Sequence, residues 1–125
     1  MLDAVNDERH RSDILPLRHD DQLAGIARAH ARDMVARGYA GHVTPEGKTL
    51  RDRLEESGLA PGWAGENYFQ VYLPEDDVAG TALAWFMDDP PHRDNILHRR
   101  YTRLGIGVAS GPQGQYVLVL DFAGD

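Results

Sequence analysis

A chain of 125 residues, 42% hydrophobic and 26% charged, has the size and composition of one globular domain spanning 1–125, which excludes a disordered tail and a collagen-like rod. Its longest apolar run, Tyr116–Leu120, is far below the ~18 residues of a membrane-spanning helix. With 13 basic against 20 acidic residues, the net charge of -7 repels phosphate backbones, and the densest basic group (Arg99, Arg100, Arg103) is too small to offset it, so nucleic acid is not an expected partner.

In chain order, Leu2, Val5 and Arg9 share one face of a short opening helix that ends by Ser12-Asp13. Asp20 or Asp21 caps a longer helix in which Leu23, Ile26, Ala27, His30, Ala31, Met34 and Val35 follow the 3.6-residue period, and Gly38 closes it. Thr49 caps a third helix, with Leu50 and Leu54 on its face and Gly58 as its stop. A fourth is expected after Pro74, carrying Val78, Ala82, Trp85 and Phe86 and ending at Pro90-Pro91.

Three strands are expected in the second half. Asn67–Leu73 is rich in aromatic and β-branched residues. Leu104–Val108 alternates apolar residues with glycine, the pattern of a strand whose glycine face is closely approached. Gln115–Phe122 is almost continuously apolar, as in a strand covered on both faces, and Ser110–Gly114 supplies the hairpin loop before it. These elements predict an α+β domain whose antiparallel sheet is covered by helices.

With no cysteine, disulfides, thiolate metal centres and cysteine nucleophiles are excluded. His92-Arg93-Asp94 copies the start of a kinase catalytic loop, but the Gly-rich phosphate loop and strand lysine are missing, and no G-x-S-x-G elbow is present. Of the histidines, His10, His19 and His98 lie in charged surroundings as surface residues. His30, on the apolar stripe of the second helix, reads as a hydrogen-bonded core residue. His42 follows a helix end and His92 follows two prolines, both in loop settings where site residues concentrate, and Glu66 opens a strand in Gly65-Glu66-Asn67. Two imidazoles and a carboxylate are a donor set for a divalent metal or a general-base site, although their spacing alone does not unite them.

Several ordered segments together resemble the CAP superfamily, the SCP-like extracellular proteins that include cysteine-rich secretory, antigen 5 and pathogenesis-related proteins. They are Asn6–Arg9, Leu15-Pro16-Leu17, Asp21-Gln22-Leu23, Ala29–Met34, Gly41–Gly47, Gly65-Glu66-Asn67, Trp85–Asp88, His92–Leu97, Leu104–Val108 and Asp121-Phe122. The resemblance implies an α-β-α sandwich around an antiparallel sheet, and the absence of cysteine fits the bacterial branch. It also implies a cleft lined by two histidines and two acids: His42, His92, Glu66 and, three residues after the helix tryptophan, Asp88 in place of the usual glutamate. His42, His92 and Glu66 would be the ligands of a divalent metal, zinc above all, with Asn95 supporting them. Family members are mostly secreted, so secretion or a cell-envelope location is expected even though Met1–Glu8 shows neither the basic nor the apolar region of a signal peptide. The function implied is a monomeric module binding a small molecule, lipid or cell-wall component without catalysis. The alternative is a metal-assisted hydrolase with Glu66 as general base.

Overall fold

A computed structural model describes residues 1–72 and 76–125 of the protein. Helix α1 (Leu2–Arg11) buries Val5 and Arg9, and α2 (Asp21–Arg37) begins where the Asp20 side chain accepts the Leu23 N–H and ends at Gly38 in the left-handed conformation. Helix α3 (Leu50–Glu56) starts in a reciprocal capping box between Thr49 and Asp52. Strand β2 (Trp63–Tyr72) begins four residues ahead of the expected start, and Leu73 and Pro74 lie outside the described residues.

Helix α4 (Val78–Met87) is capped by Asp77, whose side chain accepts the Gly80 N–H. Pro90 and Pro91 do not simply end it; they form the first turn of a further helix, α5 (Pro90–Ile96), which carries His92 and Asn95. Proline suits that position because first-turn N–H groups have no partner within the helix. His92 therefore stands on a helix, not in a loop. Strands β3 (Arg103–Ser110) and β4 (Gln115–Gly124) form the expected hairpin around a short 3₁₀ turn.

The sheet order is β1-β3-β4-β2, where β1 is the two-residue Arg18–His19. The three long strands are antiparallel, while β1 joins β3 in parallel, so the sheet is mixed. Along β4, Leu118, Leu120 and Phe122 pack with Val5, Phe86 and Ile96 from α1, α4 and α5. Val117 and Val119 face Ala27, Ala31 and Met34 of α2, and Ala123 joins Leu23, Ile26 and Leu54. Both faces are thus covered by helices, which is why β4 reads as continuously apolar.

Two features fix the layers. A Cβ on Gly105 would stand 2.2 Å from the Leu23 carbonyl carbon, and one on Gly107 would stand 2.2 Å from the Arg28 backbone nitrogen. Helix α2 therefore lies directly on a sheet face that only glycine leaves open. On the other side, Arg9 is fully buried and donates to the carbonyls of Leu15, Ile96, His98 and Tyr101 at 2.7–3.1 Å. It satisfies the irregular chain after α5, which would otherwise bury unpaired acceptors.

Gly107→Ala should cost about 2–3 kcal/mol in denaturant unfolding, because the clash is with backbone and cannot be relieved by a rotamer. Gly25→Ala, at an exposed α2 position with no atom within 4 Å of the new Cβ, should instead gain up to about 1 kcal/mol.

Candidate functional site

The segment Gly65-Glu66-Asn67 sends successive side chains to opposite faces of the sheet. On the α2 face, Glu66 is 6% exposed and is held by three N–H donors from two residues. Arg53 of α3 donates to both of its carboxylate oxygens at 2.9 and 3.0 Å, and His42 Nδ1–H donates to Oε1 at 2.9 Å. Arg53 also donates to the His42 carbonyl at 2.8 Å, tying the 42–48 loop to the same cluster. Behind it, His30 is buried with Nε2–H donated to the Gly41 carbonyl at 2.8 Å. Burial outweighs the pull of Glu66 and lowers the His30 pKa, keeping the ring neutral.

Across the ladder from Glu66 stands Asp121, fully buried, with neither carboxylate oxygen given a donor among the described residues. Burial, reinforced by the Glu66 charge beside it, pushes the Asp121 carboxyl well above its ordinary range. Burial opposes ionisation of Glu66 as well, yet Asp121, His42 and Arg53 outweigh it and hold that carboxyl well below the usual value. The two acids share one negative charge: Glu66 carries it against Arg53, and Asp121 stays protonated.

On the opposite face, Asn67 is fully buried and donates to the His92 carbonyl at 2.9 Å. Asn95 Nδ2 reaches around the strand edge to the Asn67 side-chain oxygen at 2.8 Å and the Glu66 carbonyl at 3.2 Å. Gly65 leaves room for this, since a Cβ there would lie 2.2 Å from the Tyr101 hydroxyl and 2.8 Å from Asn95 Oδ1. The His92 ring packs on Trp85 and Phe86, with centroids 4.8 and 5.5 Å apart, and its Nδ1–H donates to Asp89, the residue that caps α5.

The candidate residues thus fall into two groups. His42 and Glu66 are in direct contact on one face of β2, while His92 and Asn95 stand on α5 against the other, linked to Glu66 through Asn95. Asp88 ends α4 and lines a separate surface depression of about 400 Å³ with Met87, Pro90, Arg93, Asp94 and Leu97; Asp89 is the acid that partners His92. Arg53 and Asp121 were missed by the sequence reading. A lone aspartate inside an apolar strand is a signal for Asp121, whereas an arginine on a polar helix gives none. A further cavity of about 260 Å³ behind the cluster is lined by His30, Arg37, Lys48 and Arg53. Its cations are paired among the described residues, Arg37 with Asp33 and Glu46, Lys48 with Glu56 and Arg53 with Glu66.

The cysteine-rich secretory protein (CAP) family model matches residues 2–122, and the chain belongs to that family. It is 32% identical over 112 residues, 89% of its length, to the uncharacterized protein YkwD of Bacillus subtilis (strain 168), of which the match covers 42%. The chain spans less than half the length of the curated relatives it matches. Among solved structures, an extracellular protein containing a SCP domain from Bacillus anthracis str. Ames superposes with a TM-score of 0.86 at 29% identity, over 99% of this chain and 39% of that one. The structure of NaASP2 with Zn2+ shares the fold at a TM-score of 0.59 and 14% identity, over 87% of this chain and 60% of that one.

The opposite shifts of the acid pair carry a pH signature. Asp121 has a folded pKa above its unfolded one, so its contribution is fully present below the unfolded value and is lost as pH rises toward the folded value. Asp121→Asn keeps the shape without the ionisation. Relative to wild type, this variant should therefore gain stability as pH rises from about 4, by up to about 1.4 kcal/mol per pH unit. Urea unfolding of both proteins between pH 3 and pH 8 measures this, and a difference independent of pH contradicts the shared charge.

Proposed function

We propose that this chain is an extracellular or cell-envelope CAP-domain module that binds a ligand at the His42–Glu66–His92 cleft and does not hydrolyse it. The observation that carries this reading is the state of Glu66. A general base needs a free lone pair and a pKa near the working pH. Glu66 is buried, spends both oxygens on Arg53 and His42, and is held well below the ordinary carboxylate range. That describes a positioning residue: the carboxylate orients the His42 ring through Nδ1, and the His42 side chain is 48% exposed. Asp89 does the same for His92.

The same geometry argues against a resident zinc centre. Among the described residues no three His, Asp or Glu side chains are grouped to hold a metal ion. Glu66 does not fit as a ligand, because the Arg53 guanidinium already occupies its oxygens and repels a dication. What remains is one ring nitrogen each on His42 and His92, fewer than the three protein ligands of a resident zinc. A divalent ion would be a weak guest here, completed by solvent or by the ligand.

The test is a titration of ¹⁵N-labelled protein with zinc chloride, soluble muropeptides and phosphatidylglycerol vesicles in turn. At least one should move the resonances of His42, Tyr68, Trp85 and His92 together, and zinc alone should raise the melting temperature by less than about 2 °C at tenfold excess. Shifts confined to other surfaces overturn the cleft reading. Turnover of ester or peptide substrates that disappears in Glu66→Gln overturns the non-catalytic one.

A further inference from the structure

The cleft has a floor of unusual character. In the order β1-β3-β4-β2, the ten-residue β2 is an edge strand, paired only with β4. Its hydrogen-bonding phase follows from the hairpin. Gly111 N–H donates to the Gln115 carbonyl at 2.9 Å, and the β3–β4 register is unbroken from there to Arg103–Ala123. Counting in twos makes Gly105–Asp121 a hydrogen-bonded pair, so Asp121 turns its backbone toward β3. Its pairing with Glu66 is then the non-hydrogen-bonded kind, and Glu66 turns its own N–H and C=O outward. The Asn95 hydrogen bond to the Glu66 carbonyl agrees with that phase.

Tyr68, Gln70 and Tyr72 share this phase and present their backbone groups along the open edge. Among the described residues, only the Glu66 carbonyl on this side of the strand receives a partner. A long unpaired edge is normally covered or blunted. Here it is flanked instead by half-exposed side chains of both faces. His42, its ring 5.0 Å from that of Tyr68, lies on one side; Trp85, packed on Phe69 and His92, lies on the other.

We propose that the outer edge of β2, beyond the Asn95 cap at Glu66, takes up an extended peptide of another molecule as an added strand. Its backbone pairs with Tyr68 and Gln70, and its side chains alternate between the His42–Tyr68 face and the Trp85–His92 face. This rests on the cleft reading above and names its ligand class. A second copy of this chain is the poorer occupant: it would bring two bodies of net charge -7 together along an edge already shortened by Asn95. The same charge favours a neutral or basic peptide.

The experiment uses a phage library of random decapeptides panned against the whole chain, followed by synthesis of the enriched peptides. N-methylation of one alternate set of peptide amides should weaken binding at least about tenfold, and methylation of the other set should not, because only one edge of the peptide faces β2. Gln70→Pro removes an outward N–H where an edge strand tolerates proline, and it should abolish binding. In the free protein the Tyr68 and Gln70 amides should exchange with solvent at least about tenfold faster than those of Asn67 and Phe69, and slow on peptide addition.

Failure to enrich any peptide, binding insensitive to both methylation patterns, or Tyr68 and Gln70 amides already protected in the free monomer overturns the proposal. Protection that grows with protein concentration assigns the edge to a second copy and overturns it too. If the peptide tests fail while zinc, muropeptide or vesicles move the cleft resonances, strand addition falls and the cleft reading stands. If peptides pair while none of those probes acts, the metal, small-molecule and lipid readings fall and the edge remains.

Discussion

Burying a carboxylate in a sheet demands compensation, and the ion pair between Glu66 and Arg53 supplies it. An isolated buried charge is expensive, and removing one partner of such a pair usually destabilises more than the pair itself stabilises. Here the compensation also sets the architecture. Arg53 anchors α3 to β2 and, through the His42 carbonyl, draws the loop after α2 onto the same point. Asp121 from β4 lies under Glu66 and His30 from α2 lies behind it, so strands, helices and loop meet at one negative charge.

Each residue of Gly65-Glu66-Asn67 has a separate task imposed by strand geometry. Gly65 admits Tyr101 and Asn95 to the backbone, Glu66 organises the α2 face, and Asn67 organises the α5 face through the His92 carbonyl. Because adjacent strand side chains diverge, the two histidines approach β2 from opposite sides. The Asn95 side chain touches both Glu66 and Asn67, bonding the Glu66 carbonyl and the Asn67 amide oxygen. What lies between the histidine faces is the outer edge of β2.

Much of the fold was legible because caps and periodicity are local. Asp20, Thr49 and Gly38 act at the positions their chemistry suggests, and the Leu104–Val108 alternation signals a closely approached glycine face, which α2 turns out to occupy. Helix α5 was hidden because Pro-Pro after an apolar helix reads as a stop. The same prolines behind Asp89 are equally a start, and only packing against α4 and β2 selects that role. Strand β1 has two residues and no pattern of its own; pairing with β3 alone defines it.

Of the site, residue types and ordered motifs marked His42, Glu66 and His92, and the absence of cysteine excluded thiolate chemistry. What those residues can do was decided elsewhere. The Arg53 contact, the protonated Asp121 and the pairing of His92 with Asp89 instead of Asp88 depend on which side chains meet across 13, 55 and three positions of chain, and on how water is excluded where they meet. A sequence carries the charges, but the pKa of a carboxyl and the freedom of a strand edge are set by neighbours that only the folded chain brings together.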